Sequence, residues 1–287
     1  MKTIIIDNAE DLKSFIETLK EKDVKEIGLD FEGESNLHRY GLHLCLIQIC
    51  DGADIYLIDP IAIKDISPLK EIFEERSITK IMCACDFDVK LLKETKGIKL
   101  FNIFDVHYGA KAVGIEKLSL GNIVETYLNI ELSKSRKKQK ANWNVRPLKE
   151  TMIEYAAADV RYLIKLKEVM SAELKEKNVW SSFIEKCEKL EELELPKDKP
   201  PHLTVKGVGL LNREQRHIFK HIYYARDFVA QKLDKPVYQI IPNSELLKIS
   251  KIIPKTEQEW EQLYEEHKTT KKHKVMLRKA VERGLKK

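Results

Sequence analysis

Short apolar runs rich in β-branched residues predict a sheet in the first part of the chain. The runs at 44–50 and 54–58 flank Asp51-Gly52, a pair typical of a hairpin turn, so their strands are expected to lie antiparallel. Between the first two runs, apolar residues recur at helical spacing after a helix-cap candidate at Asp7-Asn8. The predicted strands are 3–6, 25–31, 44–50 and 54–58, and the helical positions are Leu12, Phe15, Ile16 and Leu19.

After Pro60 the pattern alternates between helical and strand periodicity. We predict a helix over 67–75, a strand over 79–84, a helix over 88–94, a strand over 99–104, and then helices to about residue 188. Strands that alternate with helices favour an α/β domain, here a mixed β-sheet flanked by helices.

A segment rich in helix-breaking residues predicts a domain boundary. It contains Pro200-Pro201 and Gly207-Val-Gly209, and the chain beyond it is helical in pattern. There, Ile218, Ile222, Ala225 and Val229 share one helix face, Pro236 ends that helix, and a short helix near 243–250 precedes a final basic helix. We therefore predict a domain over 1–188, a linker over 189–209 and a smaller all-α domain over 210–287.

Charge changes this picture only locally, because 51 Lys and Arg against 46 Asp and Glu leave a net charge of +5. Residues 133–140 contain no acid, and 268–287 hold nine Lys and Arg against the single Glu282. Such stretches attract phosphates, although a solvated loop or helix face is the plain alternative. The opening residues and the lack of a long apolar stretch predict a cytoplasmic protein without a membrane partner.

The cysteines give no framework of disulfides or zinc ligands. Five are present, mostly in apolar strand-like runs, which is typical of reduced, buried thiols. Cys83 and Cys85 alone make a poor zinc site, because a tetrahedral site needs a second pair of ligands.

Two carboxylates lie two residues apart in Leu29-Asp30-Phe31-Glu32. Strand geometry directs Asp30 and Glu32 to one side and Phe31 to the other. Like charges held together need a cation or raised pKa values, and oxygen ligands suit Mg²⁺ or Mn²⁺. Taken alone, the pair is more typical of solvated acids at an exposed strand end.

Further acids fall in positions suited to a site. Tyr155 and Asp159 are four residues apart, which places both on one helix face with only alanines between them. The plain alternative is a tyrosine packed in the core and an aspartate paired with a nearby Lys or Arg. Asp86 and Asp88 follow a predicted buried strand, and spacing alone leaves open which belongs to a site and which caps a helix.

Together these segments resemble the ribonuclease D branch of the DEDD exonucleases, of the type with a tyrosine in its third motif. Leu29–Glu32 resembles the first motif, Cys83–Leu92 the second and Tyr155–Val160 the third. The segments Tyr40–Gln48 and Trp143–Leu148 are also similar to ribonuclease D. The resemblance covers residues 1–187 and implies a ribonuclease H-like fold. Many relatives have His or Asn where this chain has Cys83.

The resemblance implies a two-metal mechanism at these residues. Asp30, Glu32, Asp88 and Asp159 would hold two Mg²⁺ or Mn²⁺ ions about 4 Å apart, and Asp88 is favoured over Asp86. Tyr155 would orient the attacking water, and nucleoside 5′-monophosphates would leave from the 3′ end. RNA 3′ ends, tRNA precursors among them, are the expected substrate.

Contacts to nucleic acid are expected from a second set of residues. A basic loop ahead of the third motif would follow the phosphate backbone, and Trp143 would either stack on a base or anchor the fold. The full set is Gln48, Lys134, Arg136, Lys137, Lys138, Lys140, Trp143 and Arg146.

Residues 210–287 resemble one HRDC domain, the helical module shared by helicases and ribonuclease D, which implies a role in holding substrate. We expect a monomer. The rival hypotheses are a 3′–5′ DNA exonuclease, since no residue visibly reads a 2′-hydroxyl, and a catalytically silent nucleic-acid-binding module.

Overall fold

The structure, a computed structural model, describes residues 1–132, 141–195, 199–266 and 271–286. The chain divides into two compact units. One comprises Met1–Glu34 and Leu42–Leu195, and the other comprises Ser35–Gly41 and Pro196–Lys287.

A six-stranded mixed sheet forms the centre of the first unit. Its spatial order is β1-β4-β3-β2-β5-β6. The pairs β1/β4, β2/β5 and β5/β6 are parallel, whereas β3/β4 is antiparallel, as the Asp51-Gly52 turn predicts. The predicted mixed sheet is therefore confirmed. The strands are β1 Thr3–Ile6, β2 Glu26–Ser35, β3 Leu42–Cys50, β4 Ile55–Ile58, β5 Thr79–Met82 and β6 Ile103–Asp105.

Helices flank the sheet and bury two apolar cores. One core includes the buried face of α1, and the other includes buried residues of α6, α7 and α8. The helices are α1 Ala9–Glu21, α2 Lys70–Phe73, α3 Asp86–Lys96, α4 Val106–Ala112, α5 Leu120–Leu128, α6 Glu150–Arg161, α7 Leu163–Glu176 and α8 Trp180–Glu191. As predicted, Asn8 is the N-cap of α1 and accepts a hydrogen bond from the backbone N–H of Asp11.

Three elements fall short of their sequence patterns by two residues or more. The strand expected over 79–84 ends at Met82. The strand expected over 99–104 begins only at Ile103, because Asn102 has a positive φ of 55° that a strand does not accommodate. The helix expected over 67–75 consists of a 3₁₀ turn, Ser67–Leu69, followed by the four residues of α2. Ile98 and Leu100 are fully buried although they precede the strand. Apolar residues there reflect burial of a loop, so the strand boundary predicted from them is wrong.

The second unit has its own apolar core and is helical in its described part. Ile218 and Ile222 are fully buried on the face of α9 that the sequence indicates. The helices are α9 Arg213–Leu233, α10 Val237–Ile240, α11 Asn243–Ile252, α12 Glu257–Glu266 and α13 Lys274–Leu285, preceded by 3₁₀ turns at Pro201–Leu203 and Val208–Leu210.

Most of the cysteines lie in the interior. All five cysteines are free, and four of them are buried. Within the described ranges, no helix combines the length and the apolar character that a membrane span requires.

Candidate active site

Strand β2 carries Asp30 and Glu32 on the face opposite its apolar side chains. Ile27, Leu29 and Phe31 pack into the core that includes α1. The intervening residues point the other way because side chains alternate along a strand. Asp30 and Glu32 are only half-buried, so their carboxylates border a space that a ligand can reach.

Helix α6 lies very close to this face of β2. A Cβ atom at Gly28 would be 2.9 Å from the backbone oxygen of Val160, so only glycine permits this approach. Ala156 and Ala157 of the same helix are buried, whereas Tyr155 and Asp159 are half-buried. The small residues of strand and helix thus bring the two pairs of candidate site residues together.

Three carboxylates form a cluster where α6 meets β2. One oxygen atom from each of Asp30, Glu32 and Asp159 lies within 4.8 Å of the others. Burial, followed by the charges of Asp159 and Asp88, raises the pKa of Glu32 from 4.5 to about 9. Burial and the neighbouring carboxylates likewise raise the pKa of Asp30 well above its ordinary value. The cluster therefore resists full ionisation at neutral pH unless a cation offsets its charge.

The fourth acid is Asp88, in the first turn of α3. Burial raises its pKa to about 7, with further contributions from the charges of Asp105 and Asp86, and its own charge raises the pKa of Asp30 and Glu32. Asp86, in contrast, accepts a hydrogen bond of 3.0 Å from the hydroxyl of Tyr108. Nor does Asp86 cap α3, because the N-cap position belongs to Cys85. The geometry thus separates the two aspartates that the sequence left open.

Tyr155 lies beside the cluster and forms a hydrogen bond with one of its carboxylates. Burial raises the pKa of Asp159 to about 7, and a hydrogen bond with the Tyr155 side chain partly opposes that rise. The Tyr155 ring lies 6.1 Å from that of Trp143, measured between centroids. The phenol is therefore held next to a carboxylate whose charge it stabilises.

Asp105 supports the site and was missed by the sequence reasoning. Its fully buried carboxylate accepts hydrogen bonds from the backbone N–H groups of Ala84 and Cys85, at 3.1 and 2.9 Å. It also caps α4 by accepting from His107 and Tyr108, at 2.9 and 3.2 Å. Ala84 has a positive φ of 58°, so this carboxylate stabilises a strained turn just ahead of α3. An aspartate between a strand and a helix is a capping signal that could have indicated it.

Three residues expected to contact nucleic acid have packing roles in the structure. Gln48 is fully buried, and among the described residues its amide has no hydrogen-bond partner. Trp143 is 2% exposed, which matches the anchoring alternative. Arg146 forms an ion pair with Asp59 and donates to the carbonyl oxygens of Trp143 and Cys45, at 2.7 and 2.6 Å. Contact with nucleic acid stays an untested prediction for all three.

The other expected contacts are Lys134, Arg136, Lys137, Lys138 and Lys140. All five lie outside the described residues.

Comparisons with known proteins identify the family of each part of the chain. Residues 3–175 match a 3′-5′ exonuclease family, and residues 215–275 match the HRDC domain. Ribonuclease D from Desulfotalea psychrophila is 31% identical over 255 residues, which cover 87% of this chain and 67% of that protein. The exosome complex component 10 homolog of Caenorhabditis elegans is 30% identical over 258 residues, covering 88% of this chain and 29% of that protein. The chain thus spans less than a third of that relative's length.

Solved structures give the same result for the fold. The structure of Escherichia coli RNase D, described as an exoribonuclease involved in structured RNA processing, has a TM-score of 0.80 at 25% identity, covering 100% of this chain and 76% of that one. The catalytic core of RRP6 from Trypanosoma brucei has a TM-score of 0.80 at 20% identity, covering 99% and 80%, and shows likeness of fold alone. The exonuclease family depends on divalent metal ions. The chain belongs to the 3′–5′ exonuclease family, as a ribonuclease D-like enzyme with a C-terminal HRDC domain.

Proposed function

We propose that the enzyme removes nucleotides from the 3′ end of RNA as nucleoside 5′-monophosphates, trimming structured RNAs such as tRNA precursors. The observation that carries the proposal is the convergence of Asp30, Glu32 and Asp159 within 4.8 Å, with the charge of Asp88 acting on the first two. The similarity to ribonuclease D supports RNA as the substrate class.

The residues of the cluster fit divalent metal ions. All the donors are carboxylate oxygens, which hard cations such as Mg²⁺ and Mn²⁺ prefer. Burial, followed by the negative charges of Asp159 and Asp88, raises the pKa of Glu32, and a bound cation would offset those charges. In this proposal Asp30, Glu32, Asp88 and Asp159 hold two such ions. Bound there, the ions would lower the pKa of a water molecule and offset charge on the phosphate being cleaved.

In this proposal Tyr155 orients the attacking water. Its phenol is hydrogen-bonded to Asp159, and packing beside Trp143 limits the freedom of its ring. A phenol held in this way suits the positioning of the attacking water.

The test is a cleavage assay on matched RNA and DNA oligonucleotides labelled at the 5′ end, in Mg²⁺, in Mn²⁺ and in EDTA. We expect a ladder that shortens from the 3′ end of RNA, faster than on DNA, and no products in EDTA. Asp88→Asn should abolish most of the activity. Asp86→Asn is the matched control, because it neutralises a carboxylate two residues away that binds Tyr108 instead.

Each alternative has its own outcome in this assay. Faster degradation of DNA would identify a DNA exonuclease, and binding without cleavage would identify a silent binding module. Degradation in EDTA, or equal losses in the two aspartate variants, would overturn the proposed site.

A further inference from the structure

Gln48 is a fully buried glutamine of β3 whose side-chain amide is unpaired. Among the described residues, neither its Oε1 nor its Nε2 atom has a hydrogen-bond partner. A buried polar group without a partner is costly, and most such groups in folded proteins are paired. The surroundings of Gln48 therefore have to explain why an amide is kept at this position.

The side chain of Gln48 lies on the face of the sheet that carries the carboxylate cluster. Gln48 is aligned with Leu57 of β4, and Leu57 belongs to the core that includes buried residues of α6. Ile47 and Ile49, on either side of Gln48 along β3, belong to the other core. Because side chains alternate along a strand, Gln48 faces α6, as the carboxylates of β2 do.

The alignment of β2 with β3 places Gln48 across from Asp30. The two strands are neighbours in the sheet and are joined only by residues 36–41, a connection too short for a parallel pair, so they run antiparallel. A Cβ atom at Gly28 would be 3.5 Å from the Cβ of Cys50, which puts these two positions side by side. Two residues onward in β2 and two residues back in β3 are Asp30 and Gln48. Side chains opposite each other in such a pair have Cβ atoms roughly 4.5–5.5 Å apart, within reach of a hydrogen bond.

Of the two cross-strand neighbours of Gln48, Asp30 is the one that can pair with its amide. Leu57 on the β4 side is apolar, whereas a carboxylate accepts hydrogen bonds. An ionised carboxylate has about four lone-pair sites, so one that holds a cation can still accept from an N–H group. In metal centres, donors of this kind fix the orientation of the ligands, and their loss typically weakens metal binding roughly 10- to 100-fold.

We propose that the amide N–H of Gln48 donates to the carboxylate of Asp30 when a divalent cation is bound, and so holds Asp30 in the orientation that binds the ion. Gln48 is then a positioning residue, which acts on the metal through Asp30. The inference rests on the proposed function for the presence of metal at the cluster. It accounts for a polar side chain between two fully buried isoleucines, Ile47 and Ile49.

The test compares two variants of the full chain, Gln48→Met and Leu46→Met. Methionine is unbranched, as glutamine is, and lacks a strong hydrogen-bonding group. Leu46→Met is the matched control, because Leu46 is also buried and lies two residues away in β3, packed in the core that includes α6 residues. This exchange nearly conserves volume and removes no hydrogen bond.

Two quantities are measured: the affinity for Mn²⁺ alone, by isothermal titration calorimetry, and the melting temperature in EDTA. Gln48→Met should bind Mn²⁺ about tenfold more weakly than wild type, because Asp30 loses the donor that orients it. In EDTA it should melt at or above wild type, since it loses only an unpaired amide. Leu46→Met should keep its Mn²⁺ affinity within about twofold of wild type, because it changes no group that orients a metal ligand.

A purely structural role for Gln48 predicts the opposite pattern, a loss of stability in EDTA with no change in metal affinity. Unchanged Mn²⁺ affinity in Gln48→Met would overturn the inference, as would an equal loss in Leu46→Met. A melting temperature below that of wild type in EDTA, or failure of Gln48→Met to fold, would also overturn it, because the amide would then be used without metal. Wild-type protein that binds no Mn²⁺ would overturn the metal site of the proposed function as well, whereas the other outcomes leave that site standing.

Discussion

Without metal, Glu32 is expected to destabilise the fold as the pH rises. In the unfolded chain its carboxyl ionises above about pH 4.5, whereas in the folded chain burial and the charges of Asp159 and Asp88 hold its pKa at about 9. Between these values the folded state binds one more proton than the unfolded state. Raising the pH therefore lowers the free energy of unfolding, by about 1.4 kcal/mol per pH unit for this one group.

The size of the effect is measurable with the variant Glu32→Gln, which keeps the shape of the side chain and removes its titration. From pH 5.5 to 7.5 in EDTA, wild type should lose about 3 kcal/mol more stability than the variant. At about 2 °C per kcal/mol, this corresponds to roughly 6 °C in the melting temperature of the nuclease domain. Calorimetry or circular dichroism over this pH range makes the comparison.

In EDTA at pH 7.5, the Glu32→Gln variant is expected to be more stable than wild type. Bound metal should reverse this order of stability. A saturating divalent ion stabilises wild type by mass action, about 3 kcal/mol at a hundredfold excess over its Kd, and should stabilise Glu32→Gln less because a ligand is missing. If the variant loses as much stability as wild type between pH 5.5 and 7.5, or melts below it in EDTA at pH 7.5, the electrostatic account of the cluster is wrong.

Three further substitutions test how the site is built. Gly28→Ala should cost about 1–3 kcal/mol and reduce kcat, because its Cβ would meet a carbonyl oxygen of α6 at 2.9 Å; Gly209→Ala, where an added Cβ meets nothing within 4 Å, should do neither. Tyr155→Phe should lower kcat roughly 10- to 100-fold and move the acidic limb of the pH–rate profile upward, since losing the hydrogen bond raises the pKa of Asp159. Asp105→Asn should lower the melting temperature by removing an acceptor from buried backbone N–H groups, and should raise the Mg²⁺ concentration needed for half-maximal cleavage; an unchanged Mg²⁺ requirement would reduce Asp105 to a purely structural role.

Local periodicity was sufficient to predict which side chains share a face in each half of the candidate site. Alternation along β2 put Asp30 and Glu32 on one face, and the spacing of four residues put Tyr155 and Asp159 on one face of α6. What periodicity does not contain is the approach of one element to the other. That approach depends on the contact of Gly28 with α6, across more than a hundred residues of chain.

Contacts between residues far apart in the sequence also explain where the remaining expectations and the structure differ. Spacing alone could not decide which of Asp86 and Asp88 belongs to the site. The two differ because Asp86 binds the hydroxyl of Tyr108, which lies 22 residues further along the chain. The position of Trp143 in the core depends on residues that pack against it from distant parts of the sequence. Arg146 is similar, because its partner Asp59 is 87 residues away. Charge and aromatic character suggested contact with nucleic acid, and long-range packing gave these two side chains other partners.

The alternation along β2 also determines which changes in chain length the enzyme can tolerate. Inserting or deleting one residue between Ile27 and Glu32 would reverse the facing of every side chain beyond it, turning carboxylates toward the apolar core and Phe31 toward the site. Length variation should therefore be excluded from this stretch even where single substitutions are accepted. The spacing of the strand, as much as its chemistry, is the quantity that natural variants and redesigned enzymes have to preserve.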